Sequence, residues 1–365
     1  MKSITRNSDH QWLGIVLIII CGLAGIWAVV SLVLQTGCDM NVDSDHIDHI
    51  GSYFSGLVGI VSVYYLYRTL RSQSLSFRMS SFETRFVEMV SMQRENLKNI
   101  VVEDKSTANH PLLKGQDAVK LFISYYYKAY EKVEQYLADK EVSTIYKETK
   151  KYEQDLIIWP GDLLKQRTCA NISYMITFIG VQTEGERLLR NKYLKYINDR
   201  DVNAIIRQFK LLLAFGEATA SLDDSPVGQG RKINCQNKEY VGFQHEFGNY
   251  FRQLFQIVNY ANTQQWLYYG DKYGYVKMLR SQFSNQEEVL LYYNSLSDVG
   301  VAWEFADKGT DKADMNKQLI TKYNLLKNIP HQTTTPKVED FYPLISYEDS
   351  SDANGRRKEI ERKYE

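Results

Sequence analysis

The side chains best equipped for chemistry in this 365-residue chain fall between Tyr250 and Asn294. Tyr250, Arg252, Tyr273, Lys277, Arg280, Gln282, Glu288 and Asn294 offer guanidinium and ammonium donors, phenol hydroxyls, amides and one carboxylate. Brought together where two helices face each other, beside Phe251 and Ser284, they would form a polar pocket with a cationic floor. Such a pocket would take an anionic ligand or a partner protein, because arginine presents a planar fork of donors to carboxylates and phosphates. The same residues also have a plainer reading. Phe251 would be core, Ser284 a helix cap, and Arg252 or Arg280 a partner of Glu287 or Glu288 that fastens helices together.

Catalysis has less to build on. His245 and Glu246 could serve as base and carboxylate, yet adjacent residues on a helix do not face each other. The chain has six histidines and no GxSxG, HExxH, Cys/His nucleophile pattern or Walker loop. No catalytic residue is therefore singled out, and a non-enzymatic role is the first expectation, with an enzyme left open as the alternative. Asp39, Asp43, Asp45, His46, Asp48 and His49 lie close together but match no coordination spacing, and read as a solvated acidic turn. The four cysteines, at 21, 38, 169 and 235, form no CxxC pair, so neither a metal nor a cofactor is expected. Two cysteines in the soluble portion are too few for a disulfide framework and fit a reducing cytosol.

The elements that would carry these residues begin with two apolar runs. From Trp12 to Leu34 the chain has 23 residues without a charge, enough as a helix to cross a hydrocarbon core of roughly 30 Å. A second uncharged run, Ile50 to Tyr67, holds Gly51, Gly56 and Gly59, small residues that let membrane helices approach closely. Lys2 and Arg6 precede the pair, and Arg68, Arg71 and Arg78 follow it. The segment between has no Lys or Arg, so both ends are expected in the cytosol. The expected plan is a cytosolic 1–11, transmembrane helices 12–34 and 50–70, an extracytoplasmic loop 35–49, a helical cytosolic domain 80–330 and a flexible tail 331–365. The location implied is the inner membrane, with the bilayer as one partner.

The cytosolic part reads as mainly α. Apolar residues at Phe82, Phe86, Met89, Val90, Leu97 and Ile100 recur with helical period. Further helices are expected over Gln116–Leu137, Ile145–Trp159, Leu163–Gly180, Gly185–Ile197, Asp201–Phe215, Phe247–Tyr260, Tyr273–Phe283 and Met315–Ile329, with loops at Lys105–Gly115 and Ser221–Asn237. Ser284 and Glu287 have capping-box spacing and should open a helix through Leu296. Six prolines against 27 tyrosines suit helices that fill irregular gaps with rings. Beyond residue 71 the chain holds 40 basic and 39 acidic residues (44 − 4 and 44 − 5). Such neutrality argues against nucleic acid as the main partner.

Several stretches resemble the phage abortive infection proteins of the AbiC type: FETRFVEMVSMQREN from Phe82, ISYMITFIG at 172–180, and above all YFRQLFQIVNY followed by KYGYVKMLRSQFSNQEEVLLYYNSLSDVG. The resemblance runs to about Pro330. It implies two N-terminal membrane helices, a helical cytosolic region and a part in bacterial defence against bacteriophage, with no established chemistry. The expectation is a non-enzymatic sensor or effector that meets a phage product, a partner protein or further copies of itself. A tethered nuclease or nucleotide-processing enzyme, or a scaffold for another defence protein, is the alternative.

Overall fold

The computed structural model describes residues 44–104, 111–215, 240–306, 308, 314–330, 333–348 and 353–364, with scattered positions between 14 and 30. The chain is mainly helical and divides into two compact units, 1–87 and 88–365.

Helix α1, Ser44–Asn99, passes from the first unit into the second. Among the described residues no helix is long and apolar enough to cross a membrane, so the expected span over 50–70 finds no support. The physical reason is dilution. Gly51, Gly56, Gly59, Ser52, Ser55, Ser62 and four tyrosines interrupt the apolar residues of that run. Residues 1–11, most of 12–34, and 35–43 lie outside the described residues. Residues 44–49, expected within a loop, are the start of α1. Further along, Phe82 and Phe86, one helical turn apart, are buried and stack at 5.9 Å.

The second unit is built around α2, Gln116–Leu137, and α5, Asp162–Ile179, which pack on each other. Helix α10, Asn285–Leu296, packs against both. Every residue from Arg167 to Ile179, and from Glu287 to Leu296, is buried. A helix enclosed all round belongs to the interior of a domain. Tyrosine fills much of that interior: Tyr126 of α2 stacks on Tyr293 of α10 at 3.8 Å. Phe122, Tyr174, Phe243 and Phe247 form a second ring cluster.

Around this centre lie α3 (Val142–Ile145), α4 (Thr149–Ile158), α6 (Thr183–Leu188, continuing as the π-turn Leu189–Tyr193) and α7 (Asp199–Phe215). They are followed by α8 (Gln244–Asn262), α9 (Tyr269–Arg280) and α11 (Leu319–Tyr323). Tertiary pairing shifts several expected boundaries. The helix read over Ile145–Trp159 is split because Tyr146 adopts extended backbone and bridges Ile197. The loop read over Lys105–Gly115 contributes a strand, β2 (Leu112–Lys114), antiparallel to β1 (Val101–Glu103). The helix read over Met315–Ile329 ends after Tyr323, where Asn324 takes a left-handed φ of 55°.

The tail read as flexible over 331–365 instead contains α12, Val338–Phe341, and α13, Ala353–Tyr364. Val338, Phe341, Tyr342, Ile345 and Tyr347 are buried, and Arg357 of α13 is 7 % exposed. Arg357 donates to the carbonyls of Thr321 and Lys322 at 2.7 and 2.6 Å and to the Tyr269 hydroxyl at 2.8 Å. One guanidinium thereby ties α13 to the end of α11 and the start of α9. The polar sequence of the segment conceals this because α12 is a single turn and α13 is anchored through an arginine and not through an apolar stripe.

One crossing fixes where α8 begins. Residues 240–242 pass against the end of α5, with the Val181 amide donating to the Tyr240 carbonyl at 2.9 Å. Gly180 and Gly242 both have positive φ, 86° and 78°. A Cβ on Gly180 would lie 2.4 Å from the backbone of Val241, and one on Gly242 2.4 Å from the Gly180 nitrogen. Only glycine fits on either side.

Candidate functional site

Six of the eight residues singled out from sequence are distributed over three places in the second unit, and the other two, Lys277 and Gln282, stand at its surface. Tyr250 belongs to the first, a knot around Glu287. Ser284 caps α10 as expected: its hydroxyl accepts from the Glu287 amide at 3.2 Å while the Glu287 carboxylate accepts from the Ser284 amide at 2.9 Å. The same buried carboxylate accepts from Arg94 at 2.8 Å, Gln116 at 2.7 Å and Tyr250 at 3.0 Å. Glu287 thus joins α1, α2 and α8 to the head of α10, and its cation is Arg94, on α1, in place of Arg252 or Arg280.

Arg280, Glu288 and Tyr273 make the second place. Buried Arg280 donates to the carbonyls of Tyr323 and Asn324 at 3.2 and 2.7 Å, closing the end of α11. Buried Glu288 accepts from the backbone and side-chain nitrogens of Asn328 at 2.8 and 2.6 Å. Burial pushes the Glu288 carboxyl up to about 7, against the opposing pull of those bonds and of Arg280. The Tyr273 ring lies 6.0 Å from the Arg280 guanidinium and 5.2 Å from that of Arg357. Lys277 is exposed and Gln282 lies at the surface end of α9, and they join neither group.

Arg252 and Asn294 meet at the third place, an open pocket of about 660 Å³. Its polar wall is one face of α8, carrying Gln244, His245, Asn249, Arg252 and Gln256. These positions recur at helical spacing, and Gly248 in their midst leaves the wall low. Phe178, Phe251, Phe255 and Trp303 form the apolar part, with Phe255 and Trp303 edge to face at 5.0 Å. Asn294 is engaged in structure: it donates to the Tyr174 hydroxyl at 2.8 Å and accepts from the Trp303 indole at 3.2 Å. Arg252 donates to Asn249 at 2.5 Å. Gln244, His245 and Gln256 have no hydrogen-bond partner among the described residues.

His245 and Glu246 diverge, as adjacent helical positions must. Glu246 lines a separate recess of about 280 Å³ with Asn96, Asn99 and Tyr250, and one of its carboxylate oxygens is buried without a partner there. The pocket lining itself holds no carboxylate among the described residues. What the lining offers is ring faces, amide donors and acceptors, and the positive charge of Arg252. Paired acid and base are lacking in that lining.

Sequence reasoning missed a further polar centre behind the pocket. Arg167 on α5, 1 % exposed, pairs with Asp298, donates to the Leu296 carbonyl at 3.1 Å and faces the Trp159 ring at 4.5 Å. Asp298 also accepts from Tyr196 at 2.6 Å and Asn171 at 3.1 Å. Burial alone would raise its carboxyl, but the Arg167 charge and the hydrogen bonds from Tyr196 and Arg167 hold it below the usual range. The network holds the turn that leads into Val299 and Gly300 of the pocket rim. Its signal in the sequence is Arg167, Thr168 and Asn171 set among Cys169, Ala170 and Ile172 midway along α5, a buried stretch whose polar groups must find partners.

Comparison with known proteins adds one finding. No curated protein and no solved structure is a significant match to the chain. The stretch that runs from just before α8 through α11, and that supplies 13 of the 15 residues lining the pocket, does match a family: residues 242–334 fit that of the putative phage abortive infection proteins.

Proposed function

We propose that the chain acts in bacterial defence against bacteriophage as a membrane-associated sensor, whose second unit recognises a phage-derived or phage-induced ligand in the α8 pocket. The observation carrying this reading is the coincidence of the pocket with the family match. A pocket of that size with an apolar floor and a few convergent polar groups is the ordinary form of a small-molecule site. A lining without carboxylates favours binding over acid–base catalysis.

The first unit would supply location. On α1, Val63 is 67 % exposed and Leu66 59 %, and Val58, Ile60 and Leu70 are similarly uncovered. Exposed apolar side chains gathered on one helix in this number suit contact with a membrane or another protein. The inner membrane, with the second unit in the cytosol, suits the Lys/Arg distribution at the flanks of the N-terminal runs.

The test is Gly248→Leu. A Cβ at Gly248 meets nothing within 4 Å, and leucine is the better helix former. The variant should therefore block the pocket without unfolding the protein. The expected outcome is an unchanged or raised melting temperature with phage protection lost in a plaque assay. Full protection by the stable variant would remove the pocket from the mechanism.

A further inference from the structure

We infer that the α8 pocket binds a nucleotide, with the base against the aromatic floor and the phosphate at the Arg252 end of the rim. The inference rests on the recognition role proposed above and names the ligand class. Three features of the site converge on it. The floor is a set of rings, Phe178, Phe251, Phe255 and Trp303, and the one indole N–H among them is already taken by Asn294. A floor so satisfied asks for a flat apolar face, and every nucleobase offers one. The rim is the opposite. Gln244 and Gln256 carry paired donors and acceptors that no described residue occupies, the complement of a base edge.

Charge decides what accompanies the base. Arg252 gives one of its five N–H donors to Asn249, which leaves the rest of the fork for an oxyanion. His245 lines the same wall about two turns nearer the start of the helix. An apolar body with a negative end fits; a neutral hydrocarbon would leave the rim unused, and a cation would meet Arg252. The volume, about 660 Å³, lies within the roughly 300–1,000 Å³ usual for such sites.

Calorimetric titration of the full chain with AMP, GMP, CMP and UMP, with the matching nucleosides and with inorganic phosphate, tests this directly. At least one nucleotide should bind with Kd at or below about 100 µM, its nucleoside about tenfold or more weakly, and phosphate alone without saturation in the same range. Arg252→Ala should bring the nucleotide down to the nucleoside's affinity, and Gly248→Leu should abolish both. Failure of all four nucleotides to bind, or undiminished binding by Gly248→Leu, overturns the inference. If no nucleotide binds yet Gly248→Leu still loses phage protection, the ligand class is wrong and the recognition role stands. If Gly248→Leu binds nothing yet protects fully, the recognition role falls as well.

Discussion

Arg280 sits where a ligand-binding cation and an internal clamp look alike in sequence. Both call for arginine among rings at the end of a helix, and nothing in the local pattern says which backbone carbonyls will arrive from 43 and 44 residues away. The structure gives its guanidinium to the end of α11. Arg280→Ala should accordingly cost about 3 kcal/mol, through unsatisfied carbonyls and a Glu288 left without its nearby cation. Exposed Lys277→Ala should stay within about 0.5 kcal/mol of wild type. Thermal melts and plaque counts on both variants check the assignment: for Arg280→Ala the two should fall together. A stable Arg280→Ala protein that fails to protect would restore it to the ligand-binding set. Arg252, on the helix before it, is the cation that lines the pocket.

At the scale of elements, the sequence was most legible where a helix obeys its own local rules. Gln116–Leu137 is helical over the residues read for it, and the Ser284/Glu287 box opens α10 as its spacing requires. Legibility failed where a distant partner decides the backbone. Tyr146 is extended because Ile197 bridges it, and Leu112–Lys114 is a strand because β1 lies alongside. The candidate site was half legible for the same reason. Arg252 and Asn294 could be picked out, but Phe178 and Trp303 join them only through packing. The C-terminal helix is the largest departure, since its hold depends on Arg357 reaching α11 and Tyr269. Arg357→Ala should lower stability by about 2–4 kcal/mol, the cost of opening a buried set of charge-assisted bonds. Denaturant unfolding measures this, and a loss below about 0.5 kcal/mol would show that α13 is not held by its arginine.

At the scale of the whole molecule, the two units divide the labour proposed here. The internal hydrogen bonds, rings and pocket described for 88–365 draw on residues of that unit alone. Deletion of residues 1–75 should therefore leave a fragment that is helical by circular dichroism and melts cooperatively, while phage protection is lost with the N-terminal unit. A fragment that protects fully would make the N-terminal unit dispensable. Membrane fractionation of the intact chain gives the companion result: sedimentation with the bilayer is expected, and recovery in the soluble fraction would count against the proposed location.

The crossing of Gly180 and Gly242 bears on how any mutational survey of this protein would be scored. Each glycine occupies space that the other's stretch of backbone needs, so a side chain at either position would silence protection as completely as a blocked pocket. Neither change could rescue the other, because two added methyl groups only worsen the same collision. Ranked by loss of protection alone, the pair would pass for recognition residues. A parallel readout of folded protein in the cell would separate them, with Gly180 and Gly242 variants depleted and Gly248→Leu present at its normal level.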